Sequence, residues 1–197
     1  MPSSVAGDER LRLFLGLRPP DAALDTLAAW QQEHLSGVRA AGVRIVPREQ
    51  LHVTLAFLGH RPAAELPGIL AALRDAAACV AEPPRLTPVR YRETRSVGML
   101  VLEDEGGRAT ALAGDLQERL EALGVYRREA RKWLPHLTVA RFREPKGLRP
   151  PLPNRGTYVL IPSDASAYLS RLRPSGAQYE ILDSVAVGTS WEVNNSG

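Results

Sequence analysis

The chain has 197 residues, 44% of them hydrophobic and 24% charged, which places it between one large domain and two small ones, with one compact, two-lobed unit expected. No run approaches the roughly eighteen apolar residues of a membrane helix, and the opening MPSSVAGDERLRLFLGL lacks a basic stretch followed by an unbroken apolar one. Neither a span nor a secretory leader is therefore expected, and the location reads as cytoplasmic. The net charge is only +3, but the basic residues are mostly Arg, which hints at an anionic partner.

LRLFLGL (11–17), ended by Pro19 and Pro20, reads as a strand, and DAALDTLAAWQQEHL (21–35) as a helix with Leu24, Leu27, Ala28 and Leu35 on one face and Gly37 as its stop. Strand-like VRIV (43–46) and LHVTLAFL (51–58) follow, then an Ala-rich helix ending near Cys79. That lone cysteine cannot close an internal disulfide and reads as a small buried residue. RLTPVRY (85–91) and VGMLVLE (97–103) are the next strands, with a turn at Gly106 and Gly107. A helix over 109–123 stops at Gly124, and LPHLTVARF (134–142) is again strand-like. The Pro- and Arg-rich segment 143–156 reads as an exposed loop, either a mobile lid or a plain connector. TYVLI (157–161), ASAYLSRL (165–172) and AQYEILDSVAV (177–187) close the chain as strands separated by turns, and 188–197 reads as a disordered tail. This order predicts an α+β domain over 1–187, with helices covering one side of largely antiparallel sheets.

Two segments carry the chemistry. H-V-T-L-A at 52–56 and H-L-T-V-A at 136–140 repeat the same pattern of His, apolar, Thr, apolar, Ala. Eight Thr in the chain make a Thr two places after a given His a roughly 4% event, so two of four His showing it by chance is roughly a 1% event. In a strand, residues i and i+2 share a face, so His52 stands with Thr54 and His136 with Thr138, while the intervening residues point to the core. Two imidazoles titrating near neutrality can serve as general base and general acid, and two hydroxyls can donate to a phosphate's oxygens. Against this stands the plain reading of two sheet histidines beside β-favouring threonines. The spacing is HxT rather than HxH or HExxH, with no Asp, Glu or Cys inside either tetrad, and G-x-S-x-G is absent, so neither a metal site nor a Ser-His-Asp triad is indicated. His34 and His60 lack a Thr at +2 and read as surface residues. The clusters Arg127, Arg128, Arg131, Lys132 and Arg90, Arg92, Arg95 suit a solvated face as well as a phosphate surface.

The two H-Φ-T-Φ tetrads, with RLFLGLRPP, VPREQLHVTLAFLG, LPHLTVARFR and YLSRLRPSGAQYEIL, resemble the two-histidine (2H) phosphoesterase superfamily and, within it, the RNA 2′,3′-cyclic phosphodiesterases, also called 2′-5′ RNA ligases. The likeness spans roughly 10–187. It implies a bilobal pseudo-twofold fold, with antiparallel sheets forming a central cleft and helices outside, and hydrolysis of terminal 2′,3′-cyclic phosphates to 2′-phosphates without metal or cofactor. Some members also ligate RNA ends in the reverse sense. The implied partner is RNA with a 2′,3′-cyclic phosphate terminus, met by a monomer. His52 is the implied proton donor to the leaving 3′-oxygen, and His136 the acceptor from water. Thr54 and Thr138 hold the phosphate, and Arg141 adds a charge-assisted contact. In strict alternation Arg141 points away from His136, so it needs a bend to reach the cleft. Phe14 either stacks on the terminal base or packs in the core. Met99 stands where a Trp is expected, a departure from the family pattern. The alternatives are a 2H hydrolase of another cyclic nucleotide and a non-catalytic RNA- or nucleotide-binding module.

Overall fold

The computed structural model describes residues 9–36, 42–156, 158–173 and 176–188. The expected helix stop at Gly37, the turn at Pro174 and Ser175, and the tail beyond Gly188 lie outside the described residues. The first strand, β1 (Arg10–Arg18), is buried without a break from Leu13 to Leu17, the signature of a strand covered on both faces. Helix α1 (Asp21–Leu35) follows and buries Leu24, Leu27, Trp30, Gln31 and Leu35. Then come β2 (Arg44–Ile45), β3 (Val53–Pro62), α2 (Leu66–Ala78), β4 (Arg85–Glu93), β5 (Val97–Glu105), α3 (Arg108–Ala122), β6 (His136–Arg141), β7 (Asp164–Arg173) and β8 (Gly176–Ala186).

The strands form one antiparallel sheet in the order β4-β5-β6-β3-β1-β7-β8, with β2 pairing the outer part of β6. The order is symmetric about its middle: β7-β1-β3 is matched by β4-β5-β6, and β1 and β5 each lead into a helix. The two halves meet through β3 and β6, where the register joins only Val53 to Leu137. Elsewhere the halves diverge, which opens a cleft. The helices brace the sheet from behind, with α3 against β3 and β5, α2 against β7, β8 and α3, and α1 against β2. One apolar core runs beneath both halves, from Leu13, Val53 and Leu55 to Leu100, Leu137 and Val139. The expected α+β pseudo-twofold architecture is thus present, its two lobes built on one curled sheet.

Several expectations need correction. VRIV contributes only Arg44–Ile45. The described part of TYVLI, residues 158–161, forms no strand: Leu160 makes an isolated bridge to Leu86, and Pro162 brings no N–H to extend the ladder. Cys79 is exposed, because α2 ends at Ala78 and the helical period no longer dictates its direction; its Sγ lies 3.3 Å from Asp75 O. His60 is exposed as expected, within β3 opposite Arg12.

The Pro- and Arg-rich loop is pinned as a connector. Glu93 accepts N–H bonds from Lys146, Gly147 and Leu148, each at 2.9 Å, and Trp30 Nε1 donates to Pro151 O at 2.8 Å. We expect Glu93→Ala to accelerate amide exchange at residues 146–148 and to lower stability by about 1–3 kcal/mol, since three donors lose a charged acceptor. Unchanged exchange there would show that Glu93 does not hold the loop.

Candidate active site

The Val53–Leu137 pair fixes the geometry. Both side chains are fully buried, and the half-buried His52, Thr54, His136 and Thr138 flank them. In an antiparallel register through that pair, Thr54 comes opposite His136 and His52 opposite Thr138. Extended by one residue on each side, that register sets each imidazole across from the threonine of the other repeat. The two rings are held alike: His52 Nδ1 lies 2.7 Å from Gln50 O and His136 Nδ1 lies 2.8 Å from Leu134 O. A carbonyl only accepts, so Nδ1 carries the hydrogen in both, and each Nε2 is left for chemistry.

Strict alternation fails just beyond each Thr, and in the same way. On β6, Thr138 pairs with Met99 and Ala140 with Gly98, leaving Val139 as an extra residue. On β3, Thr54 pairs with Gly16 and Ala56 with Leu15, leaving Leu55 extra. These are β-bulges, and they put two consecutive residues on the core side. Val139 with Ala140, and Leu55 with Ala56, are all buried. The next residues, Arg141 and Phe57, return to the face of the histidines and are exposed. The bend that Arg141 requires is present, and the charge of Arg141 reaches His52.

The surroundings of the two histidines differ. Phe14 stacks on Tyr168 with centroids 4.6 Å apart and lies 4.6 Å from the His52 ring, while Tyr179 meets Phe14 edge-on at 4.8 Å and His52 at 5.5 Å. Phe14 is only 3% exposed. Enclosed by three rings, it packs beneath His52, and of its two readings the geometry favours packing. Gly16 completes the support, because a Cβ there would lie 2.9 Å from Val53 O and 3.4 Å from His52 Cδ2. Burial in this apolar cage lowers the His52 pKa to about 4, with the positive fields of Arg141 and His136 acting in the same sense and the Gln50 carbonyl opposing them.

His136 instead faces a cleft of about 750 Å³ that also holds Thr54, Phe57, Met99, Tyr126 and Trp133. Both arginine clusters send members there, Arg90 and Arg92 from β4, and Arg128, Arg131 and Lys132 from the loop before β6. Arg95 and Arg127 are absent from its lining. The indole missing at Met99 enters the same cleft from Trp133, whose Nε1 donates to Thr54 O at 2.9 Å. Sequence reasoning missed Trp133, Tyr168 and Tyr179. Tyr168 and Tyr179 lay in the closing-hairpin segment of the family resemblance without an assigned role, and nothing in the local pattern marked Trp133. Among the described residues no group of three His, Cys, Asp or Glu is placed to hold a metal ion, and no helix is long and apolar enough to cross a membrane.

The pseudo-symmetric sheet carries a His-x-Thr pair on each of two neighbouring strands, with Thr54 and His136 lining the cleft. Comparison with known proteins points to phosphoesterases. The model of the LigT-like phosphoesterase family matches residues 17–84. TT0787 of Thermus thermophilus is 29% identical with a TM-score of 0.72, over 91% of this chain and 100% of that one. E. coli LigT shares the fold at 21% identity in its 3′-AMP complex and 22% in its phosphate complex, with TM-scores of 0.72 and 0.71 over 92% of this chain and 100% of LigT. None of the curated proteins matches. The family match over residues 17–84 and the shared fold make the chain similar to the LigT-like phosphoesterases.

The depressed His52 pKa links folding to pH. The unfolded chain binds this proton near pH 6.5 and the folded one only near 4, so the stabilisation from a neutral His52 is complete above about 6.5 and is lost as pH falls toward 4. Relative to His52→Asn, the intact protein should lose on the order of 2–3 kcal/mol across that interval in urea titrations. Parallel curves would mean that His52 is not held neutral.

Proposed function

We propose that this protein is an RNA 2′,3′-cyclic phosphodiesterase, which opens a terminal 2′,3′-cyclic phosphate to a 2′-phosphate with two histidines and no metal ion, and which joins RNA ends through a 2′-5′ linkage in the reverse direction. The observation that carries this reading is the antiparallel seam that sets two imidazoles, each with Nε2 free, across from the threonine of the opposite repeat. The ligands bound to E. coli LigT, 3′-AMP and phosphate, belong to the same chemical class. The basic, aromatic-lined cleft beside His136 suits an RNA strand, whose upstream phosphates meet arginines and whose bases meet rings.

In the proposed reaction His136 Nε2 takes a proton from water as the water oxygen attacks phosphorus. The bond from phosphorus to the 3′-oxygen breaks, and His52 Nε2 gives a proton to the departing oxygen. Thr54 and Thr138 donate to the non-bridging oxygens, and Arg141 offsets their charge. On the His52 side the half-buried Tyr179, rather than the enclosed Phe14, offers a ring to the terminal base.

One part of the expected mechanism changes. With a pKa of about 4, His52 is neutral in the free protein at pH 7, so it does not arrive as a proton donor. The bound phosphate anion counters the Arg141 charge and favours the imidazolium, so the proton enters with the substrate. We expect binding of a 2′-phosphate product at pH 7 to take up close to one proton, seen as a dependence of the calorimetric heat on buffer ionisation. No uptake would give His52 the base role and His136 the acid role.

The direct test incubates an oligoribonucleotide ending in 2′,3′-cyclic phosphate with the EDTA-treated protein and its His52→Ala and His136→Ala variants. A 2′-phosphate product, with kcat reduced about 10²-fold or more in each variant, is the expected result. Turnover untouched by either substitution would sink the mechanism. Tight binding without turnover would turn the protein into an RNA-binding module, and cleavage confined to another cyclic nucleotide would move its substrate class.

A further inference from the structure

The two bulges share a second feature. Among the described residues, four polar side chains are buried, Gln31, Gln117, Ser166 and Ser170, and the two glutamines are 1% and 6% exposed. Gln31 lies on α1, the helix that follows β1, and Gln117 on α3, the helix that follows β5. Each sits on the apolar face of its helix, where the period would otherwise call for a leucine. Gln31 Nε2 donates to Val139 O at 2.7 Å and to Val46 O at 3.0 Å, and Gln117 Nε2 donates to Leu55 O at 2.8 Å. Val139 and Leu55 are the extra residues of the two bulges.

We propose that Gln31 and Gln117 are positioning residues of the active site: each locks the bulge of one tetrad strand, so that Gln31 turns Arg141, and Gln117 turns Phe57, onto the cleft face. The physical reason lies in what a bulge does to a ladder. It takes main-chain groups out of register with the neighbouring strand, and in a buried layer those groups need partners: Val139 O accepts from Val46 N at 3.1 Å as well as from Gln31, and Leu55 O accepts from Gln117. A strand without its extra residue satisfies the ladder by itself, and in that regular form Arg141 and Phe57 fall on the core side. A buried amide that bonds only the bulged form selects that form. The partners are crossed, since the helix of the first half holds the bulge of β6 and the helix of the second half holds that of β3.

The inference rests on the phosphodiesterase reading only for its kinetic part, because the placement of Arg141 can be read in the free protein. The charged or titratable side chains whose fields act on His52 are Arg141 and His136. In an NMR titration of His52, Arg141→Gln should raise the midpoint from about 4 toward the ordinary histidine value. Gln31→Met should raise it in the same way, while Gln117→Met leaves it in place. Leu24→Ala, a buried change elsewhere on α1, should lower the melting temperature without moving the titration.

With a cyclic-phosphate oligonucleotide, Arg141→Gln should cost about tenfold or more in kcat/KM, as a lost charge-assisted contact does. In the Gln31→Met background the same change should cost less than about twofold further, because Arg141 has already left the cleft. If Gln31→Met does not fold, Gln31→Asn, which keeps the amide but falls one carbon short of Val139, serves in its place. A His52 midpoint unmoved by the Gln31 variant, or kinetic losses that multiply independently, would overturn the proposal. An intact protein that turns over no cyclic phosphate would instead overturn the phosphodiesterase reading and leave the titration result standing.

Discussion

The seam between β3 and β6 carries the whole cleft. Because side chains alternate along a strand, a slip of one residue at Val53–Leu137 would send His52 and Thr54 into the core and bring Val53 and Leu55 to the surface. Val53, Leu55, Leu137 and Val139 are each at most 1% exposed, and this apolar quartet strongly disfavours such a slip. The register that brings the two histidines together is therefore set by apolar residues. The same seam explains how each histidine comes to stand beside the other repeat's threonine, an arrangement neither tetrad contains on its own.

The two tetrads are nearly identical in sequence and unlike in circumstance. His52 rests over Phe14, Tyr168 and Tyr179 from the β1, β7 and β8 side, whereas His136 opens onto arginines and Trp133. Pseudo-symmetry supplies two equivalent acid-base groups, and acid-base catalysis of a displacement needs them to be inequivalent, one holding a proton while the other lacks it. The neighbours make the difference. An apolar cage disfavours imidazolium at His52, and the charge of Arg141 acts in the same sense. The residues after the bulges break the symmetry again, with a cation at Arg141 and a ring at Phe57, itself 4.8 Å below the Arg12 guanidinium.

Most of this was legible in the sequence wherever a period was strong. α1 spans the predicted 21–35, and β1, β5, β7 and β8 lie within two residues of the apolar runs that announced them. The tetrads announced themselves by repetition. What stayed hidden depends on register. Val139 and Ala140 are both apolar, but a small Ala fits either face of a strand, so only the pairing of Ala140 with Gly98 reveals the bulge that brings Arg141 round. The strand reading of TYVLI failed for a related reason: its β propensity is real, but it meets only the outer side of β4 and stops at Pro162. The arginine clusters were visible as clusters, and their convergence on one cleft belongs to the tertiary fold.

The crossed glutamines bear on how the two halves stay in register with each other. Two half-sheets joined by one residue pair would hinge easily if each carried only its own helix. Here α1 leaves β1 and reaches β6 through Gln31, and α3 leaves β5 and reaches β3 through Gln117. Opening the seam would therefore break the bonds from the Gln31 amide to Val139 O and from the Gln117 amide to Leu55 O, in addition to separating Val53 from Leu137. Buried polar groups that are fully satisfied in one arrangement and stranded in its neighbours specify that arrangement more sharply than apolar packing does. In this protein the specified arrangement is the bulged, closed seam, the one in which the histidines, the threonines and Arg141 share a face.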